Sequence, residues 1–108
     1  MDNAVIVSGA RTPIGRYGGA FKSLKASDLG AIAIKSAIER SGITPSDVEE
    51  VILGNALQTD EAGYASRMAS LKSGISHEVP TIAINRQCSS GLEAINIAAQ
   101  MIISGAID

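Results

Sequence analysis

The sequence predicts an α/β fold in which three strands alternate with three helices, in the order βαβαβα, and form a parallel sheet. Three runs rich in Val, Ile and Leu, at residues 5–7, 51–53 and 79–84, are short and lack polar alternation. Such runs are typical of strands covered on both faces. Segments with apolar residues at helical spacing separate them, and this alternation favours a parallel sheet flanked by helices.

Composition excludes several classes of protein. The 108 residues suffice for one small core, and 45% are hydrophobic against 19% charged, which is typical of a folded chain. Only 3% are aromatic and the net charge is −2, so a nucleic-acid stacking surface is excluded. A single cysteine allows no internal disulfide and no zinc site, and we expect no metal or cofactor.

Targeting and membrane signals are weak. The amino terminus has no secretory pattern, and the longest uncharged stretch, residues 94–107, is too short to cross a bilayer. We therefore expect a cytoplasmic protein without a membrane span.

The first strand, at residues 5–7, leads into a glycine-rich loop at 9–24, in which Arg11 is expected to hold the loop in place. Ser27 is the expected N-cap of the first helix, with Asp28 in its first turn. Gly42 is placed to end this helix as a left-handed residue.

A helical turn is expected at residues 44–47, where threonine, proline and aspartate occupy capping positions. The second strand ends at Gly54. The second helix is predicted over residues 64–73, with Met68 and Leu71 facing inward and Gly74 ending it.

The third helix, from Ser89 to Ser104, carries one narrow polar stripe and is apolar over most of its circumference, and its Met101 is expected in the core. Such a helix is buried on several sides. The remaining predicted elements of this chain are too few to cover it. We expect either that a larger protein encloses it or that it docks on a partner, and that a strand would follow beyond Asp108.

Cys88 is the candidate catalytic residue. It lies between the third strand and the third helix, on a tight turn that projects a side chain above the sheet edge. Free N–H groups at a helix start stabilise both a thiolate and a developing oxyanion. Ser90 and Gly91 are small and would let a substrate approach. The alternative is an ordinary buried cysteine.

His77, the sole histidine, belongs to a surface loop at the opposite end of the strand, so the nucleophile lacks a base.

Residues 85–92 (NRQCSSGL), which contain Cys88, resemble the acyl-enzyme cysteine motif of thiolases, N-x-x-C-(S/G)-S-G-(L/M). Three further segments resemble the family in order and spacing. They are residues 7–21 (VSGARTPIGRYGGAF), 50–55 (EVILGN) and 67–74 (RMASLKSG). The resemblance covers essentially the whole chain, which corresponds to about the first quarter of a typical thiolase. Residues 1–108 would thus be a partial thiolase N-terminal domain that stops before its next strand.

The resemblance implies an acyltransferase that cleaves 3-ketoacyl-CoA with CoA or runs the reverse Claisen condensation. Cys88 would carry the acyl group as a thioester, and its backbone N–H would help to bind the oxyanion. Acyl-CoA and CoA would be the substrates, and the full protein would be a homodimer or homotetramer. The family's activating histidine and second cysteine lie far downstream, so the 108 residues alone are expected to show no turnover.

The stretch from Gln58 to Arg67 departs from the G-x-G-x-N-x-A-R pattern of many biosynthetic thiolases. Its Gln-Thr-x-Glu sequence, together with Arg86 and Gln87, looks more like thiolases of fatty-acid oxidation. Tyr64 occupies the usual asparagine position, in a region that contributes to the family's dimer interface.

Two other functions stay open. The chain could be a non-catalytic thiolase-like partner or a degenerate product, or it could belong to a related condensing enzyme of the same fold. A phosphate loop at residues 15–19 is excluded because both glycine-rich phosphate motifs are missing. Glu49 and Glu50 are adjacent, so their side chains point apart and they cannot act as a catalytic pair.

Overall fold

The computed structural model describes residues 3–58 and 64–108. It contains α1 (Ala26–Ser41), a one-turn 3₁₀ helix (Pro45–Asp47), β1 (Val51–Gly54), α2 (Ala65–Lys72), β2 (Thr81–Ile84) and α3 (Ser90–Ile103). The two strands are parallel, with Val51 beside Thr81 and Gly54 beside Ile84. The predicted α/β class and parallel sheet are therefore confirmed.

The predicted first strand does not form. Residues 5–7 adopt no strand, and their side chains are 72%, 80% and 66% exposed. The segment is held instead at its end, where the Ser8 hydroxyl donates to the Ala37 carbonyl (2.6 Å) and Arg40 donates to the Gly9 carbonyl (3.1 Å). An apolar run favours an extended backbone, but a strand also needs a hydrogen-bonded neighbour, and neither strand of the sheet pairs with this segment.

Helix α1 begins two residues earlier than predicted. Lys25 is its N-cap, and the Lys25 N–H donates to Asp28 Oδ2 at 2.8 Å. Ser27, the predicted cap, is fully buried, and its hydroxyl accepts a hydrogen bond from Lys72 Nζ at 2.7 Å. The predicted end is confirmed, because Gly42 has a φ of 80°.

The predicted turn at residues 44–47 is confirmed as the 3₁₀ helix. The Thr44 N–H donates to Asp47 Oδ2 at 2.8 Å, so the carboxylate caps its first turn.

Small residues form the interface between α1 and α2. The buried face of α2 consists of Ala65, Ser66, Ala69 and Ser70. A methyl group at Gly30 of α1 would come within 3.0 Å of the Ala69 Cβ, so the two helices are in close contact. Met68 is only half-buried, and Leu71 is 38% exposed, so the prediction that Leu71 faces inward is wrong. The close approach leaves no room for large side chains on the shared face.

Helix α3 packs against the end of β1 through backbone atoms. An added Cβ at Gly54 would lie 2.5 Å from the Gly91 nitrogen and 2.5 Å from the Ser90 carbonyl carbon. Farther along the helix Ala94 is buried and Met101 is half-buried, whereas Leu92 is 64% and Ile95 53% exposed. The described part of the chain therefore leaves much of the apolar surface of α3 uncovered, as predicted. Whether a larger protein or a partner covers it stays a prediction.

Within residues 3–58 and 64–108, no helix is both long and apolar enough to cross a membrane.

Gly54→Ala is expected to destabilise the chain. Its methyl group would meet backbone atoms that cannot rotate away, and overpacking of this kind costs about 1–3 kcal/mol. Each kcal/mol corresponds to a fall of about 4–8 °C in the thermal midpoint of a domain of this size. Gly91→Ala is the matched control, because a Cβ there meets nothing within 4 Å. Alanine in place of a helical glycine should stabilise by up to about 1 kcal/mol. Equal melting temperatures for the two variants would show that the close contact is absent.

Stability should fall in acid through Asp28. The Lys25 N–H, and then the hydrogen bond from Lys72, lower the pKa of Asp28 from its ordinary value of 3.8. A carboxyl with a lowered folded pKa stabilises above its unfolded pKa, and this contribution disappears as pH falls through the folded value. In urea titrations between pH 7 and pH 2, Asp28→Asn should therefore be less stable than wild type at pH 7 and lose less stability below pH 3.8. Glu39→Gln, which replaces an exposed carboxylate on the same helix, is the matched control for the loss of one negative charge from α1. Parallel acid curves for wild type and Asp28→Asn would contradict the assignment.

Candidate functional site

Cys88 lies on the turn that joins β2 to α3, and its side chain is a free, exposed thiol. This exposure contradicts the alternative of an ordinary buried cysteine. The residue before it, Gln87, has a φ of 50°, and among the described residues no other non-glycine residue has a positive φ. A left-handed conformation costs a residue with a side chain about 1–2 kcal/mol. The turn therefore holds its backbone in a conformation that needs support from neighbouring groups.

The support comes from two side chains. The Ser90 hydroxyl accepts a hydrogen bond from the Arg86 N–H at 2.8 Å and donates one to the Gln87 carbonyl at 2.7 Å. Asn85 Oδ1 accepts the Gln87 N–H at 3.1 Å. These bonds use the polar backbone groups on the amino-terminal side of Cys88 and define the path of the turn.

The backbone N–H of Cys88 is left available. The next two N–H groups along the chain, from Ser89 and Ser90, donate to the carbonyls of Arg86 and Gln87 at 3.0 and 3.2 Å. Within the described residues the Cys88 N–H has no acceptor. A free donor at the start of a helix can bind a negative oxygen next to an exposed sulfur.

One ion pair lies next to the turn. Arg86 Nη2 is 3.7 Å from Glu93 Oε1, and the arginine side chain is 67% exposed. Such an exposed pair contributes little to stability. It keeps the Arg86 guanidinium beside the first turn of α3.

His77 lies where the sequence predicts it, in the exposed loop before β2, whereas Cys88 follows the end of that strand. Arg67 fixes this loop by donating to the carbonyls of His77 (2.6 Å) and Val79 (2.8 Å). The His77 and Cys88 side chains therefore lie at opposite ends of β2, and the structure does not bring them together.

The amino-terminal loop differs from its prediction. Within the described part of the chain Arg11 makes no hydrogen bond or ion pair, and Arg40 and Ser8 hold the start of the loop instead. A cavity of about 780 Å³ is lined by residues 13–18, Phe21, Lys22, Leu24 and Leu29, and Cys88 is not part of its wall.

The segment in which the sequence departs from the biosynthetic thiolase pattern lies mostly at residues 59–63, outside the described residues. Tyr64 is described. It is 66% exposed and precedes the first residue of α2.

Sequence reasoning named Ser90 and Gly54 but missed the part that each plays in the site. Ser90 was expected to give a substrate room, but its side chain is buried in the turn and makes two hydrogen bonds. A signal was present, since it is the polar residue of α3 that does not lie on the helix's polar stripe. For Gly54 the sequence shows only a strand end, and its contact with α3 required the structure.

The chain is similar to known proteins over nearly its whole length. The family model described as "Thiolase, N-terminal domain" matches residues 4–108. Three curated relatives, each named "Probable acetyl-CoA acyltransferase", come from Staphylococcus aureus strains NCTC 8325 / PS 47, COL and MRSA252. Each is 43% identical to this chain over 108 residues, which is 100% of this chain and 28% of the relative. The chain therefore spans just over a quarter of the length of these relatives.

Proposed function

Since the chain belongs to the thiolase family, we propose that the protein acts as an acyltransferase between CoA thioesters, with Cys88 as its nucleophile. The observation that carries the proposal is the position of Cys88. Its exposed thiol lies on a left-handed turn at the start of α3, beside an N–H group with no acceptor among the described residues. This arrangement suits covalent catalysis by a thiolate.

The proposed reaction has two half-reactions. The Cys88 thiolate attacks the C3 carbonyl of a 3-ketoacyl-CoA, the C2–C3 bond breaks, and the departing acetyl-CoA carbanion takes up a proton. The sulfur then holds the acyl group as a thioester. The thiol of a second CoA loses its proton and attacks this thioester, which gives a shortened acyl-CoA and restores the thiolate. The reverse sequence condenses two acyl-CoA molecules.

The free N–H of Cys88 has a defined part in this scheme. As a nucleophile adds to the carbonyl of the Cys88 thioester, negative charge develops on the carbonyl oxygen. A backbone donor already oriented by the turn stabilises that charge without reorganisation. The amino-terminal dipole of α3 acts in the same direction.

The proton transfers need groups that the described residues do not place near Cys88. His77 is at the far end of β2, and no described side chain makes a hydrogen bond to the sulfur. We propose that a histidine and a second cysteine outside these 108 residues, as the family resemblance implies, supply the base and the acid. The isolated chain would then be acylated once and show no sustained turnover.

The substrate and assembly follow the same reasoning. The relatives' name supports acetyl-CoA as one acyl carrier, and a place in fatty-acid metabolism is consistent with a 3-ketoacyl substrate. The exposed apolar side chains of α3 support a larger assembly, and a homodimer or homotetramer of the full protein is proposed. The same surface favours the second candidate function, a non-catalytic chain that binds a thiolase-like partner.

Acetylation of Cys88 tests the nucleophile directly. On incubation with acetyl-CoA, the 108-residue chain should gain the mass of one acetyl group, and Cys88→Ser should gain none. The folded chain should react at least about tenfold faster than a synthetic peptide of residues 84–92, because positioning of the reacting group accelerates attack. Intact-mass spectrometry over time measures both rates.

Two results would contradict the proposal. Acetylation that persists in Cys88→Ser would place the nucleophile elsewhere. Sustained release of CoA by this chain, with many acetyl groups transferred per molecule, would show that the acid–base groups lie within the 108 residues.

A further inference from the structure

We infer that Ser90 is a positioning residue for Cys88, and that its hydroxyl holds the turn in the one conformation that presents the sulfur at the start of α3. This inference deepens the proposed function and relies on Cys88 being the nucleophile. Ser90 itself need not touch a substrate, because its side chain is directed into the turn.

The first observation is the placement of the hydroxyl. Ser90 is 5% exposed, and its oxygen uses both of its capacities, accepting from the Arg86 N–H and donating to the Gln87 carbonyl. The two bonded groups belong to the two residues directly before Cys88. One side chain thereby fixes the peptide units that set the direction of the Cys88 Cα–Cβ bond.

The second observation is the conformation of Gln87. Its φ of 50° is one that residues with a side chain rarely adopt unless surrounding contacts impose it. Return to an ordinary negative φ would reorient the Gln87 carbonyl, which now accepts the Ser90 hydroxyl at 2.7 Å and the Ser90 N–H at 3.2 Å. The hydroxyl therefore opposes the backbone change that would move the sulfur.

The third observation explains why Ser90 can act as a fixed point. The backbone of Ser90 packs against Gly54 so closely that a Cβ at Gly54 would be 2.7 Å from the Ser90 carbonyl oxygen. The position of Ser90 is thus set by the sheet rather than by the turn it holds. Strand β1 fixes the helix start, the helix start fixes the hydroxyl, and the hydroxyl fixes the turn.

Ser89 provides a matched control within the same segment. It is exposed, and although it is the N-cap of α3 its side chain makes no capping hydrogen bond. Ser89→Ala and Ser90→Ala remove the same atom from adjacent residues, and only the second removes the two bonds to the turn.

The chemical test measures two reactions of Cys88 in the 108-residue chain, alkylation by iodoacetamide and acetylation by acetyl-CoA. Ser90→Ala should slow alkylation at least threefold and acetylation at least tenfold, because a displaced nucleophile loses most in the reaction that needs orientation. Ser89→Ala should stay within twofold of wild type in both reactions. Ser90→Thr retains the hydroxyl and should restore most of the lost rate. Unchanged alkylation in folded Ser90→Ala would overturn the inference.

A second measurement separates positioning from a general loss of folding. In a double-mutant cycle with Gln87→Gly, the fall in thermal midpoint caused by Ser90→Ala should shrink by at least half, because glycine adopts a φ of 50° without support. Equal falls in both backgrounds would show that the hydroxyl does not hold Gln87, and would overturn the inference.

The two hypotheses fail in different ways. If wild type is not acetylated at all, the proposed function fails, whereas alkylation and the double-mutant cycle still decide the role of Ser90. If wild type is acetylated and Ser90→Ala reacts at the same rate, the nucleophile stands and the positioning role is wrong.

Discussion

The backbone contact between Gly54 and the start of α3 is the constraint on which the site depends. No side chain separates the end of β1 from the backbone of Ser90 and Gly91, so helix and sheet meet at a distance that any larger residue would increase. Because β1 and β2 are paired in register, this contact also sets where α3 begins relative to the end of β2. The turn that carries Cys88 must cross the gap that remains. Within this turn Gln87 has the left-handed φ of 50°.

The other side of the sheet is built on the same principle of close approach through small residues. Gly30 of α1 faces Ala69 of α2, and the buried face of α2 contains only alanine and serine. Lys72 Nζ donates to Ser27 and Asp28 of α1 at 2.7 and 3.0 Å, whereas the buried Ser70 hydroxyl of α2 has no hydrogen-bond partner among the described residues. The ion pair between Lys72 and Asp28 thus lies at the edge of an interface that buries little apolar surface. A packing of this kind depends on exact fit more than on the amount of buried surface.

Local signals in the sequence predicted most of the elements, and the errors share one cause. Gly42, the turn at residues 44–47 and both paired strands follow from capping chemistry and short-range apolar patterns. The failures at residues 5–7 and at Leu71 concern which neighbour a segment meets. An apolar run does not indicate whether another strand will pair with it. A helical pattern does not indicate whether the facing helix leaves room for a leucine side chain. In the site, Cys88 was identified because its turn is local, whereas Gly54 belongs to another strand and was missed.

The same division between local and distant determinants applies to the chemistry. Every hydrogen bond that shapes the turn joins residues at most four positions apart, from Asn85 to Ser90. The proposed nucleophile and its proposed oxyanion donor would therefore both be specified by one short segment that packs on one glycine of the sheet. An acid–base partner cannot be specified by the same segment, because it must approach the sulfur from the side that this segment leaves open. That side must remain unobstructed for a thioester to enter, so groups on the turn itself are excluded from the role by the geometry that makes Cys88 accessible. In the proposed function, the separation of nucleophile and base along the chain would thus follow from how the turn is built.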